Sequence, residues 1–114
     1  MINNNYFRLI EKLIDATKEN RINWLQTTRD NEFQTDINGY SIAVLNISKP
    51  VFSIDLEKTA TCTISLINEE GVTVDSCIIS SGEEGYEAAV TLYNEAKRSF
   101  YKVDEVLREL ADSI

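Results

Sequence analysis

The chain opens with apolar residues at helical spacing. The positions that recur at three- and four-residue intervals, with charged residues between them, are Tyr6, Ile10, Leu13, Ile14 and Thr17. This period predicts an amphipathic helix over 6–18, and the asparagines at 3–5 can accept hydrogen bonds from the free N–H groups at its start. A short edge strand is predicted over 21–26. We expect Trp24 to fill the core at the junction of helix and sheet.

A β-hairpin is predicted around Asn38-Gly39, because both positions of a two-residue primed turn need residues that tolerate positive φ. Closing this turn pairs Ile37 with Tyr40 and places one apolar face on the two strands. That face comprises Phe33, Ile37, Tyr40, Ile42 and Val44. The opposite face is polar or small, so we expect one side of the sheet to be buried. After a break at Lys49-Pro50, alternating apolar residues over 52–56 predict a further strand.

A second hairpin is predicted from the apolar runs 60–67 and 72–79. A three-residue loop that ends in a bulge at Gly71 is favoured, because it sets Leu66 against Val74 and Cys62 against Ile78. In that register Cys62 faces the core and Cys77 lies on the opposite face, beside Thr63. We therefore expect no disulfide between the two cysteines.

The last third of the chain carries a heptad pattern. Apolar or aromatic residues spaced by seven are Tyr86, Tyr93, Phe100, Leu107 and Ile114, and a second set three residues later comprises Ala89, Ala96, Val103 and Leu110. This pattern predicts a long helix, whose start is assigned to a capping box over 81–84. A helix over 86–111 would span ~39 Å, about twice the length of a typical strand. Its outer half therefore needs the first helix or another subunit, unless a kink near 102–104 interrupts it.

These elements predict one α+β domain over 1–114. It has an N-terminal helix, a four- to five-stranded antiparallel sheet of hairpins and a long C-terminal helix, with both helices on one face of the sheet.

Composition excludes several kinds of chemistry. The chain has no histidine and two cysteines, which removes His-dependent nucleophilic triads and leaves too few ligands for a structural zinc site. It has no phosphate-binding glycine loop, so we expect no cofactor, no metal and no catalytic residue. A hydrolase based on carboxylates such as Asp36 and Asp55 is the least favoured alternative.

Charge restricts the expected partners. Nineteen acidic and eleven basic residues give a net charge of −8, and no Lys or Arg lies between positions 69 and 87. Such a chain is not expected to bind nucleic acid directly, since that binding depends on clustered basic residues. No apolar run is long enough to span a membrane, and the first six residues carry no charged side chain, so we expect a cytoplasmic protein without a signal peptide.

The favoured function is therefore protein binding by a small acidic domain, either to another protein or as a homodimer. The more specific form of this function is that of an inhibitor, an immunity-type protein or an accessory protein. The candidate surface is the small polar sheet face with its flanking acids, which comprises Thr61, Thr63, Ser65, Thr73, Cys77, Glu69, Glu70, Glu83 and Glu84. The outer half of the last helix is the other candidate surface. A small-ligand pocket between helices and sheet, lined by Trp24, Tyr40 and Tyr86, is the alternative.

Overall fold

A computed structural model describes residues 3–47 and 60–114. The described residues form an α+β fold with a five-stranded antiparallel sheet, in which the strands lie in sequence order. In chain order the elements are α1 (Asn4–Lys18), β1 (Leu25–Gln26), β2 (Glu32–Ile37), β3 (Tyr40–Ile47), β4 (Thr61–Ile67), β5 (Thr73–Ser80), α2 (Tyr86–Phe100) and α3 (Val103–Asp112). The strand expected over 52–56 lies outside the described residues. Within the described ranges, no helix combines the length and apolarity needed to cross a membrane.

The N-terminal helix forms as predicted and begins two residues earlier. The Asn3 side chain accepts a hydrogen bond from the backbone N–H of Asn5 at 2.7 Å, which caps the first turn. The expected role of Trp24 is confirmed, since only 3% of it is exposed. Its indole N–H donates to the Thr17 hydroxyl at 2.9 Å, and that hydroxyl donates to the Leu13 carbonyl at 2.6 Å. These bonds tie the end of α1 to the start of the sheet.

The first hairpin has the predicted register. Ile37 pairs with Tyr40 and Phe33 with Val44, and both turn residues adopt positive φ, 53° at Asn38 and 80° at Gly39. The edge strand β1 is shorter than expected, because only Leu25 and Gln26 pair with β2.

The second hairpin departs from the predicted register. The turn is as expected, with Gly71 at φ 80° and Ile67 paired with Thr73. Leu66, however, pairs with Asp75 instead of Val74, so Val74 is an extra residue in a β-bulge. The remainder of β5 is shifted by one position, which moves every later side chain to the other face of the sheet.

The shifted register corrects the expected position of Cys77. This residue pairs with Ile64 and lies on the core face, whereas Ile78 pairs with Thr63 on the open face and is 65% exposed. Cys62 is fully buried on the core face, as predicted. Both thiols are free, but they share one face, so the reason given for the missing disulfide was wrong.

The core lies between the sheet and the first two helices. Buried residues of α1, α2 and the sheet form one cluster, which includes Ile10, Leu13, Phe33, Val44, Ile64, Leu92 and Ala96. Both helices therefore cover the same face of the sheet, as expected. Small Ala89 and Ala96 are fully buried on α2, which lets this helix approach the strands closely.

The long C-terminal helix is broken in two. It begins at Tyr86 after Gly85 at φ 91°, instead of at a capping box over 81–84. It ends at Phe100, and Lys102 adopts a left-handed conformation with φ 52° before α3 begins. The break lies at the near edge of the range that the sequence indicated for a kink. Since α2 already covers the sheet, the second half of the heptad pattern extends past the core.

Candidate interaction surface

Helix α3 presents an apolar face that the rest of the described chain leaves exposed. None of its residues is buried. The exposed apolar side chains at this end are Val106 at 45%, Leu107 at 54%, Leu110 at 58% and Ile114 at 107% of full exposure. Val106, Leu107 and Leu110 lie on one side of α3, and Ile114 follows the end of the helix. This face is the outer half of the predicted heptad stripe.

The start of α3 is held in place by the core. Phe100 and Tyr101 pack against Phe33 in tilted and edge-to-face orientations, with ring-centroid distances of 5.5 and 6.3 Å, which anchors the junction of α2 and α3 on the sheet. An ion pair between Arg98 and Asp104, at 2.7 Å, spans the break. A cleft of about 360 Å³ separates the first turns of α3 from the end of α1. The junction thus holds the start of α3 against the core, while the apolar face of this helix stays exposed.

The structure brings together part of the predicted sheet surface. Thr61, Thr63 and Ser65 lie on the open face of β4, and Thr73 lies beside them at the start of β5. Cys77 is not part of this face. Burial raises the pKa of its thiol, as expected for an unreactive cysteine. Ile78, which is 65% exposed, flanks Thr63 on one side, and Leu45, which is only 9% exposed, flanks it on the other. This face is therefore less polar than the sequence indicated, and it is not open at β3.

The acidic residues do not form one patch. Glu69 and Glu70 lie in the turn before β5, and Glu83 and Glu84 lie in the connection after it. Eight residues of strand separate the two pairs, about 27 Å at 3.4 Å per residue. At one end, the Glu69 side chain lies over Gly39. At the other, the backbone N–H of Ser80 donates to the Glu83 carboxylate at 2.8 Å and lowers its pKa.

The three aromatic residues proposed for a ligand pocket lie in different surroundings. Trp24 is enclosed in the core. Tyr40 is about half exposed and lines an open cleft of about 570 Å³ with Asp36 and Glu69. Tyr86 lines a separate depression formed by residues 81–87. The arrangement gives the small-ligand hypothesis no support.

Carboxylate chemistry gains no support either. The Asp36 carboxylate accepts a hydrogen bond from the Ser41 hydroxyl at 2.6 Å, which is a local contact between paired strands. Asp55 lies outside the described residues. Over 3–47 and 60–114, no group of three or more His, Cys, Asp or Glu side chains is arranged to hold a metal ion.

The exposed α3 face lies in the outer half of the last helix, which the sequence indicated as the second candidate surface without assigning individual residues to it. The signal for them was the mismatch between a heptad stripe over 86–114 and a sheet of strand length. Comparisons with models of protein families, with curated proteins and with solved structures found no match to this chain.

Proposed function

We propose that this chain is a non-enzymatic protein-interaction domain that binds its partner through the exposed apolar face of α3. The observation that carries the proposal is a ten-residue amphipathic helix with no buried residue. Helices shorter than about 12 residues are marginal in water unless an apolar face is packed. A partner that covers Leu107 and Leu110 would both remove apolar surface from water and stabilise the helix.

The charges of α3 favour a protein over a membrane or a nucleic acid. Four acidic residues, Asp104, Glu105, Glu109 and Asp112, accompany a single base, Arg108. Helices that lie on membranes carry Lys and Arg on their polar face, where they meet anionic lipid. Phosphate backbones likewise require basic clusters. The acidic polar face of α3 would be repelled by both.

The proposal includes a cytoplasmic location, where a reducing environment keeps Cys62 and Cys77 as free thiols. The proposal does not include an inhibitor that binds through one acidic patch, because the acidic residues that flank β5 lie at its two opposite ends. The general form, an accessory domain that binds protein through an apolar helix face, has the stronger support.

Site-specific photocrosslinking tests this proposal. A photoreactive phenylalanine replaces Leu110 on the apolar face or, as the matched control, Glu105 on the polar face of the same helix. A third variant places it at Ile78 on the open face of the sheet. After irradiation in cells of the native host, we expect protein adducts from position 110 and few from positions 105 and 78. Adducts that form equally at all three positions, or at position 78 alone, would contradict the assignment.

A further inference from the structure

We infer that the partner covering α3 is an amphipathic helix of another protein, in which lysine and arginine flank the apolar stripe. This inference rests on the proposed function, since it names the chemistry of the occupant of the same surface. It has three supports in the structure: the spacing of the exposed apolar residues, the charges that border them, and the ion pairs that compensate some of those charges and not others.

The exposed face has the spacing of a surface that packs along another helix. The apolar positions that continue the heptad pattern at four- and three-residue intervals are Val103, Leu107, Leu110 and Ile114. A heptad stripe is typical of helices that pair lengthwise with other helices. In α3 the stripe is open to such a partner, because Leu107 is 54% and Leu110 58% exposed. The ten residues of α3 give a contact about 15 Å long.

Acidic residues border this face on both sides. Four acidic residues and one base give α3 a net charge of −3. Successive helical residues are about 100° apart around the axis, so residues three apart are separated by about 60°. By this spacing Asp104 lies beside Leu107 at one edge of the face, and Glu109 lies beside Val106 at the other. A helix that covers the face therefore meets a carboxylate at each edge.

The two bordering acids differ in what compensates them. The Asp104 carboxylate forms an ion pair with Arg98 at 2.7 Å, and two further bases, Lys97 and Lys102, lie near the start of α3 in sequence. Over the described ranges 3–47 and 60–114, Glu109 forms no ion pair. The uncompensated acid beside the apolar face is therefore Glu109, in the outer half of the helix. A lysine or arginine of the partner is expected to lie against it.

The same charges disfavour a second copy of α3 as the occupant. A second α3 would bring another helix of charge −3, attached to a chain of net charge −8, so the two would repel each other. A partner helix with bases beside its apolar stripe reverses the sign of this interaction. Complementary charge then speeds the encounter and fixes which edge of the partner meets Glu109.

Binding of two synthetic peptides tests this inference. Both peptides are amphipathic helices of about 20 residues with the same leucine stripe, and this stripe is flanked by lysine in one and by glutamate in the other. Fluorescence anisotropy of the labelled peptides measures their affinity for the full chain at low and at physiological salt. We expect the lysine peptide to bind about tenfold or more tightly than the glutamate peptide, and higher salt to narrow the difference.

Two charge reversals on α3 locate the contact. Glu109→Lys places a base beside the apolar face, whereas Asp112→Lys makes the same change of charge on the opposite side of the helix, about 140° from Leu107. At physiological salt, we expect Glu109→Lys to weaken binding of the lysine peptide about three- to tenfold, because an attractive contact becomes repulsive. Asp112→Lys is expected to weaken it less than about twofold. Circular dichroism checks that both variants keep their helices.

The outcomes separate this inference from the proposed function. A preference for the lysine peptide that Glu109→Lys reduces more than Asp112→Lys supports the inference. Equal binding of the two peptides, equal effects of the two reversals, or no binding of either peptide would overturn it. The proposed function stands in each of these cases if photocrosslinking at position 110 captures a protein, because that partner then has a different surface chemistry. If position 110 yields no adduct above its control and neither peptide binds, both fail.

Discussion

Truncation of Leu110 is expected to weaken binding of the proposed protein partner at α3 and to leave the fold intact. The side chain is 58% exposed, so a partner can bury slightly more than half of it. Burying a whole leucine side chain contributes about 1.5–3 kcal/mol, so Leu110→Ala removes about 1–1.5 kcal/mol of binding free energy. The dissociation constant then rises roughly 5- to 13-fold.

Photocrosslinking from a photoreactive phenylalanine at Val106, on the same face of α3, measures this change, and Ile78→Ala is the matched control. Ile78 is an aliphatic residue of similar exposure, 65%, on the open face of the sheet. We expect Leu110→Ala to lower the yield of protein adducts, Ile78→Ala to leave it unchanged, and both variants to unfold within about 1 kcal/mol of wild type in denaturant. The reasoning is refuted if Leu110→Ala gives the wild-type yield, or if Ile78→Ala lowers it as much.

Three further predictions concern the open face, the core and its titration. Thr63→Arg is expected to leave the photocrosslinked adducts from position 110 unchanged, since Thr63 lies on the open sheet face; loss of those adducts in a folded variant would assign the interface to the sheet instead. Thr17→Val leaves the Trp24 indole N–H without its acceptor and should lower the free energy of unfolding by about 1–3 kcal/mol, followed by tryptophan fluorescence, whereas Thr17→Ser should retain most of it. Burial raises the pKa of Cys62 from 9.0 to about 12, so above pH 9 the unfolded chain loses this proton first and the free energy of unfolding falls by up to about 1.4 kcal/mol per pH unit. Because the pKa of Cys77 is raised as well, the test compares Cys62→Ala with Cys62 in a shared Cys77→Ala background, from about pH 8.5 to 9.5, where few tyrosines ionise; the substitution should flatten the slope, and an unchanged slope would show that the Cys62 thiol is not its source.

Those elements whose signals are local were determined by the sequence alone. Helix α1 follows from one apolar stripe with an asparagine cap, and both the period and the cap lie within a few residues of each other. The first hairpin follows from Asn38-Gly39, since few other residue pairs adopt two successive positive φ angles without strain. With that turn in place, the two-residue loop fixes a single register, in which the buried Phe33 pairs with Val44, although β3 is apolar on both faces from Ile42 to Leu45.

Tertiary structure decided which side chains of β5 face the core and where along the last two helices the core ends. It therefore also decided which apolar surface stays exposed. In β5 the adjacent pair Ile78 and Ile79 has an apolar residue for either face, so alternation could not choose between registers, and the bulge at Val74 reversed the expected faces. The heptad pattern likewise runs through α2 and α3 without a change. How much of this pattern packs against the sheet depends on how far the assembled sheet extends. The same repeat is therefore buried as far as Phe100 and exposed from Val106 onward, because a local pattern specifies which face of a helix is apolar but not what lies against it.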